Sequence, residues 1–437
     1  MRTEFTPAQL ADPETAASEK AIRSCVHCGF CTATCPTYVL TGDELESPRG
    51  RIYLIQRMLE EEQVPSAETV AHIDSCLSCL SCKTTCPSGV DYMHLIDHAR
   101  AYVGQHHRRS WRERFLRGAL AAILPYPRRM RAALGLARLA RSLAGPLARI
   151  EATKSVAAML TLAGRRKRTA AFVGPPPVTA PRMKVALLRG CAEPVLRPEI
   201  RAAAVRVLHR AGCEVVDAEG EGCCGALVHH MGRAEPGLDA ARRNVDAWTA
   251  AIDRSGIEAV AVTTSGCGTM LKNYGFLLRS DPAYAAKAAR ISAMALDVSE
   301  LLARLAPPLS APEPLTIAYH APCSLQHGQA VRTEPKALLE GAGFRVVIPA
   351  EAHLCCGSAG SYNILQPDIA AQLAARKIGH LKALAADAVV TGNIGCMIQL
   401  DEGIGVPILH LVELLDWAGG GPRPAALTLP NPVHNGD

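Results

Sequence analysis

Short apolar runs alternate with helical stretches through the second half of the chain. "KVALLRG" (Lys184–Gly190) and "TIAYHA" (Thr316–Ala321) read as strands that deliver Cys191 and Cys323. "EAVAVTTSG" and "DAVVTGNIG" read as strands that deliver Cys267 and Cys396. This alternation predicts two α/β units with mostly parallel sheets. Ligands of such sheets sit in loops beyond the strand ends. The first half is patterned differently. "SPRGRIYLIQRMLEEE" is helical, with Ser47 as N-cap and Pro48 at the first position. "RRMRAALGLARLARSLAGPLARI" reads as an amphipathic helix with Leu and Ala on one face. No window reaches about 18 uninterrupted apolar residues, so no membrane span is expected.

The predicted class is therefore α+β and multidomain. A helix-rich module occupies 1–100, a basic helical connector and linker 101–181, and two α/β units 182–310 and 311–437. "VGPPPVTAP" (Val173–Pro181) and "APPLSAPEP" (Ala306–Pro314) are the expected linkers. The two α/β units are duplicates. Cys191 to Cys223 and Cys323 to Cys355 are both steps of 32. Cys223–Cys224–Gly225 recurs 132 residues on as Cys355–Cys356–Gly357, and Gly266–Cys267 recurs 129 residues on as Gly395–Cys396. "RAGCEVV" echoes "GAGFRVV". Four matches in one order indicate a repeat.

Cysteine usage narrows the chemistry. Seventeen cysteines in 437 residues are too dilute for a secreted disulfide scaffold, and the odd count does not suit a fully paired one. The N-terminus "MRTEFTPAQLADPETAASEK" has no apolar core or cleavage site, so no signal peptide is expected. In a reducing cytoplasm, clustered thiols read as metal ligands. The net charge of +6 is modest but uneven: Gln105 to Ala170 carries sixteen Lys and Arg against Glu113 and Glu151. That stretch is either a solvated connector or a helix that docks on a membrane surface or partner. It has no aromatic interleaving and no nucleic-acid motif, so nucleic-acid binding is not expected.

"CVHCGFCTATCP" places Cys25, Cys28, Cys31 and Cys35 at the spacing C-x2-C-x2-C-x3-C-P, and "CLSCLSCKTTCP" repeats it with Cys76, Cys79, Cys82 and Cys86. This is the run of bacterial two-cluster ferredoxins, in which the fourth cysteine ligates the other cluster. The expectation is one [4Fe-4S] cluster on Cys25, Cys28, Cys31 and Cys86, and a second on Cys76, Cys79, Cys82 and Cys35. Tetrahedral zinc does not suit this spacing.

The duplicated units each supply four recurring thiols: Cys191, Cys223, Cys224 and Cys267, then Cys323, Cys355, Cys356 and Cys396. Adjacent Cα atoms lie about 3.8 Å apart, too close for a relaxed disulfide. The pairs therefore read as ligands to a further centre or as redox-active thiols. The glycine after each pair lets the backbone turn so that both side chains face one point. Cys213 is matched by Phe344, which marks it as core packing. "GEGCCG" also fits G-x-G-x-x-G, but Gly220 and Gly222 become Ala352 and Leu354 in the duplicate. A dinucleotide loop is therefore not expected. His229, His230, His320, His327 and His353 lie near the thiols in sequence. Each is an ordinary loop residue or a second donor that tunes a centre or handles quinone protons.

Tandem Cys-Cys-Gly units behind a two-cluster ferredoxin resemble the subunits of heterodisulfide reductases and respiratory hydroxyacid dehydrogenases. "CVHCGFCTATCPTY", "GDELESPRGRIYLI", "TTCPSGVDY", "GCCGALVHH", "SGCG", "PCSLQH", "HLCCGSAGSY" and "NIGC" are similar to the iron-sulfur subunits of bacterial glycolate oxidase. The resemblance covers nearly the whole chain. It implies an electron-relay subunit that takes electrons from flavin subunits oxidising glycolate to glyoxylate. It passes them to the membrane quinone pool, from a cytoplasmic position on the inner face of the membrane. Iron-sulfur subunits of anaerobic glycerol-3-phosphate or lactate dehydrogenase are the alternatives within the class, and heterodisulfide chemistry is a third. One departure matters. The wider Cys-Cys-Gly family often ends each repeat in C-x-x-C, and this chain has Met270 and Gln399 at the last position. The occupant of the Cys-Cys-Gly thiols is thereby left open.

Overall fold

The apolar runs become central strands because each can be covered on both faces by the helices between them. In the computed structural model, which describes residues 1–149 and 180–428, two four-stranded sheets are each wholly parallel. The first contains β1 (Met183–Leu187), β2 (Cys213–Val216), β3 (Ala259–Val262) and β4 (Ala295–Asp297), in the order β2-β1-β3-β4. The second contains β5 (Thr316–Tyr319), β6 (Arg345–Val347), β7 (Ala388–Thr391) and β8 (Ile408–His410), in the order β6-β5-β7-β8. The chain winds outward in both directions from β1 and from β5. Each sheet therefore has a crevice at its carboxyl edge between the first and third strands, the usual ligand position of such folds.

One hydrophobic core runs through both sheets. The helix Glu199–Arg210 of the first unit packs on Leu411–Ala418 of the second, and Val207, Leu208, Leu414 and Leu415 are buried together. Charge pairs line this seam: Arg206 to Asp416 at 2.5 Å and Arg197 to Glu413 at 3.2 Å. Cys213 and its counterpart Phe344 are both in this core, as their apolar pairing predicts.

The N-terminal module is helical. Ser47 Oγ accepts a hydrogen bond from Gly50 N at 3.0 Å and starts the helix Pro48–Glu60, so the predicted cap forms. Ile55 and Leu59 of that helix pack with Leu95, Ile96, Ala99 and Val103 of Tyr92–His106.

The basic connector is shorter and more broken than its periodicity suggests. It forms Trp111–Ile123 and Pro127–Leu139, then the short turns Arg141–Leu143 and Ala144–Ala148. Pro146 sits in the first turn of the last helix, where its missing N–H costs nothing. One unbroken helix would have put it in the interior. Lys154, Arg165, Arg166, Lys167, Arg168 and most of "VGPPPVTAP" lie outside the described residues. The connector is no mere solvated tether. Leu116, Leu120 and Leu124 pack against Val228 and Met231 of the first unit and Ile364 of the second. Among the described residues no helix is long and apolar enough to cross a membrane.

Candidate redox site

Each ferredoxin run turns through two left-handed residues at the same repeat positions. They are His27 (φ 55°) and Gly29 (φ 82°) in the first, Ser78 (φ 49°) and Leu80 (φ 62°) in the second. The turn folds the cysteines on either side inward. In the folded chain Cys35 lies within electrostatic reach of Cys79 and Cys82, and Cys31 within reach of Cys25. Burial pushes the Cys31 thiol up to about 11 and the Cys79 and Cys82 thiols well above their usual value. Donors surround the sulfurs: Ser78 N to Cys76 Sγ at 3.5 Å, Tyr92 Oη to Cys76 Sγ at 3.9 Å, and Arg51 to Cys35 Sγ at 3.8 Å. Cys28 is exposed, and so are its neighbours Val26 and Phe30.

The Cys-Cys-Gly thiols all sit beyond strand carboxyl ends: Cys191 after β1, Cys223 and Cys224 after β2, Cys267 after β3, and their duplicates after β5, β6 and β7. In the first unit Cys191 and Cys224 share hydrogen bonds with Cys223, whose thiol is held low by them, and Cys224 also meets Cys267. In the second unit Cys323 Sγ is 3.7 Å from Cys355 Sγ, Cys355 meets Cys356, and Cys356 meets Cys396. Gly225 (φ 89°) and Gly357 (φ 87°) make the turns. Backbone N–H groups of both glycines donate to the sulfur two residues back, Cys223 at 3.5 Å and Cys355 at 3.4 Å.

Both thiol sets line one cavity of about 390 Å³. Its far wall is the connector helix Pro127–Leu139, which turns Met130, Ala133, Leu134 and Ala137 inward. Cys76 and Leu77 of the ferredoxin module also line it. The module meets the second unit directly. Leu77, Cys79, Cys355 and Tyr362 form one buried cluster with Cys323 against it. Tyr362 Oη donates to Ser75 O at 2.8 Å, and Thr84 Oγ1 and His327 Nδ1 are 2.7 Å apart. On the first unit, Asp97 meets His230 at 2.9 Å and His94 meets Asn273 at 2.7 Å.

Gln399 bonds Asn363 and Ala370 O, which turns it away from the thiols, whereas Met270 is buried in an apolar cluster that also holds Cys224, with Cys267 packed on it. His230 and His327 are spent on docking the module. His229, buried, lies 3.7 Å from the Asp97 carboxylate, and His353 is partly exposed. Sequence reasoning passed over Arg51 and Lys377. Arg51 is 1% exposed, paired with Glu46 at 2.5 Å, and stands between the two ferredoxin runs near Cys35 and Cys76. Its signal was a cation on the apolar stripe it shares with Ile55 and Leu59. Lys377 is 2% exposed, donates to Glu351 O at 2.6 Å, and faces Cys355, Cys356 and Cys396.

Comparison with known proteins agrees with this anatomy. Residues 24–91 match the 4Fe-4S dicluster domain, and residues 185–272 and 317–401 each match the cysteine-rich CCG domain. The chain is 40% identical over 427 residues to the glycolate oxidase iron-sulfur subunit of Escherichia coli K12, covering 96% of this chain and 99% of that one. It is 31% identical to the probable glycolate oxidase iron-sulfur subunit of Bacillus subtilis 168, covering 92% and 95%. A solved structure of a hypothetical protein from Helicobacter pylori shares the fold, with a TM-score of 0.56 at 11% identity over 96% of this chain and 74% of that one. Eight cysteines in two ferredoxin runs, with donors aimed at their sulfurs, fit two [4Fe-4S] clusters. With this domain order and likeness along almost its full length, the chain belongs to the family of glycolate oxidase iron-sulfur subunits.

Proposed function

We propose that this chain relays electrons from a flavin subunit that oxidises glycolate to a quinone at the membrane surface. The observation that carries the reading is the contact between Cys79 of the ferredoxin module and Cys323 and Cys355 of the second Cys-Cys-Gly unit. It makes the thiol sets one continuous series rather than separate sites. In this reading Cys25, Cys28, Cys31 and Cys86 hold one cluster, and Cys76, Cys79, Cys82 and Cys35 the other. When bound, such clusters supply one-electron steps between a two-electron flavin and the acceptor. Exposed Val26 and Phe30 beside Cys28 form the entry face for the flavin subunit. In this reading the part of the cavity walled by the connector helix, left beside any centre on the Cys-Cys-Gly thiols, takes a quinone at the exit, with Arg100, Arg117 and His230 as polar groups in its wall.

Membrane association in this reading is peripheral. Trp111 and Phe115 are 72% and 74% exposed and flank the exposed Arg112 and Arg114. Aromatic and basic residues do interleave here, against the sequence expectation, and together on the exposed face of this helix they have the composition of an interfacial anchor.

The test is Cys79→Ser in the assembled complex. It is expected to abolish glycolate-dependent quinone reduction and leave glycolate-dependent flavin reduction intact. If flavin reduction also fails with the complex still assembled, the relay reading is wrong.

A further inference from the structure

The two Cys-Cys-Gly units repeat their thiols but not what surrounds them. His320 N donates to Val390 O at 2.8 Å, and Leu188 N donates to Ala261 O at 3.0 Å. The two residues are 132 apart, the interval that separates Cys191 from Cys323. They therefore occupy the same place, one step past the end of the first strand of each sheet. In the first unit that place holds Leu188, buried in an apolar core. In the second it holds an imidazole that is 1% exposed.

Neither ring nitrogen of His320 has a hydrogen-bond partner. An unpartnered buried polar group costs about 1–3 kcal/mol, so such groups call for an explanation. His410, also buried, shows the ordinary arrangement: one ring nitrogen is 2.8 Å from Thr263 O and the other accepts from Val412 N at 3.2 Å. His320 instead faces sulfur. Its ring nitrogen and the Sγ atoms of Cys356 and Cys396 all lie within 4.8 Å of one another. Cys323 and Cys355 extend the same group.

A second asymmetry points the same way. An added Cβ at Gly225 would meet Gly237 O, and one at Gly357 would meet Ala370 O, so Gly237 and Ala370 are equivalent. Seven residues beyond each stand Asn244 and Lys377. Asn244 is neutral and bonds the first Cys-Cys-Gly loop through Gly222 N and Cys223 O. Lys377 places a buried cation beside the second set of thiols. Thiolates bound to metal carry negative charge, and a buried cation offsets it. Met270 and Gln399 leave both units without a fifth cysteine, and in the second unit an imidazole nitrogen lies among the thiols.

We propose that the second Cys-Cys-Gly unit holds an iron-sulfur cluster with the imidazole of His320 as a ligand, alongside Cys323, Cys355, Cys356 and Cys396. Among the described residues, no histidine nitrogen is grouped with the first unit's four thiols in this way. Thiolate with imidazole is a ligand set that iron-sulfur centres accept, and replacing thiolate by imidazole raises the reduction potential. The proposal rests on the iron-sulfur relay reading above, but its test does not depend on electron delivery to quinone.

The experiment is pulsed electron paramagnetic resonance on the anaerobically purified full-length chain, with and without 15N-histidine labelling, together with iron, sulfide and zinc counts. Iron is expected to exceed about eight per chain, the content of two [4Fe-4S] clusters. One cluster signal is expected to carry a histidine nitrogen coupling that changes on 15N labelling. His320→Ala should remove the coupling. His320→Cys should keep the iron, remove the coupling and lower the midpoint potential of that centre alone. Labelling needs no substitution, so a misfolded variant leaves the test intact. The proposal is overturned by no histidine coupling on any cluster signal, by a coupling that survives His320→Ala, by only about eight irons per chain, or by zinc at this site. In each of those cases the signals of the ferredoxin clusters are unaffected, so the relay reading stands or falls separately on Cys79→Ser.

Discussion

Gly225 and Gly357 do at the scale of single residues what the paired cysteines require. Both hold φ near +90°, where an L side chain is strained, and an added Cβ would lie 2.6 Å from a helix carbonyl oxygen, Gly237 O or Ala370 O. The close approach lets the loop press on the helix behind it while both thiols turn forward. Gly222 is different: its φ is not positive and nothing lies within 4 Å of an added Cβ. Gly225→Ala and Gly357→Ala are therefore each expected to cost about 1–3 kcal/mol of strain and to lower metal content at their own unit. Gly222→Ala should change stability by less than about 0.5 kcal/mol. Thermal unfolding with metal analysis checks both. Equal effects at all three positions would mean that the glycines matter for loop flexibility rather than for the turn. The third glycine of "GEGCCG" was legible as essential because only it survives in the duplicate. Leu80 was not legible: a leucine at φ 62° has no sequence signal, and only its equivalence to Gly29 explains it.

At the scale of elements, the connector helix Pro127–Leu139 has two faces with different tasks. Met130, Ala133, Leu134 and Ala137, at helical spacing, close the cavity. Leu136 and Leu139 point outward, 71% and 84% exposed, among the exposed Arg128 and Arg131. A surface of leucine and arginine binds an anionic bilayer through buried apolar area plus charge. Leu136→Glu with Leu139→Glu is expected to weaken binding to phosphatidylglycerol-containing vesicles by about tenfold or more, since each buried leucine contributes about 1.5–3 kcal/mol. Iron content should not change. Vesicle co-sedimentation measures it, and unchanged binding would remove this helix from the membrane surface. The amphipathic period was readable in the sequence, but not that its second face lids a cavity, because that face is as alanine-rich as a solvated helix. Strand length limited the rest. β1, β3, β5 and β7 were legible as apolar runs, being buried on both faces. β4, β6 and β8 have three residues each, too few for a period, and β4 ends on the buried Asp297 that caps the next helix.

The whole molecule sets an order among the centres that no single motif contains. The duplication and both cysteine runs could be read from spacing alone. The adjacency of Cys79 to Cys323 and Cys355 could not, because it arises only when the helical module docks across the sheet edges. That docking is specific: Tyr362 reaches back to Ser75 O, Thr84 meets His327, and Asp97 meets His230 on the other unit. The contacts to the two units are not equivalent. Cys79 is buried against the second unit's thiols, whereas the links to the first through His94 and Asp97 lie along the helix Tyr92–His106. In the relay proposed above, electrons leaving a cluster held by Cys35, Cys76, Cys79 and Cys82 would exit through the second unit, whose thiols are the ones buried against Cys79. Two paramagnetic centres this close interact through their spins. In the fully reduced chain the signal of that ferredoxin cluster is expected to be split or broadened by a centre in the second unit. Cys396→Ser, which removes a thiol of that centre, should abolish this contribution and leave only the coupling to the other ferredoxin cluster, whereas Cys267→Ser in the first unit should leave the interaction in place. Power saturation and double electron–electron resonance read the difference. If Cys267→Ser removed the interaction and Cys396→Ser did not, the exit would run through the first unit, and the docking of Cys79 would serve assembly rather than transfer.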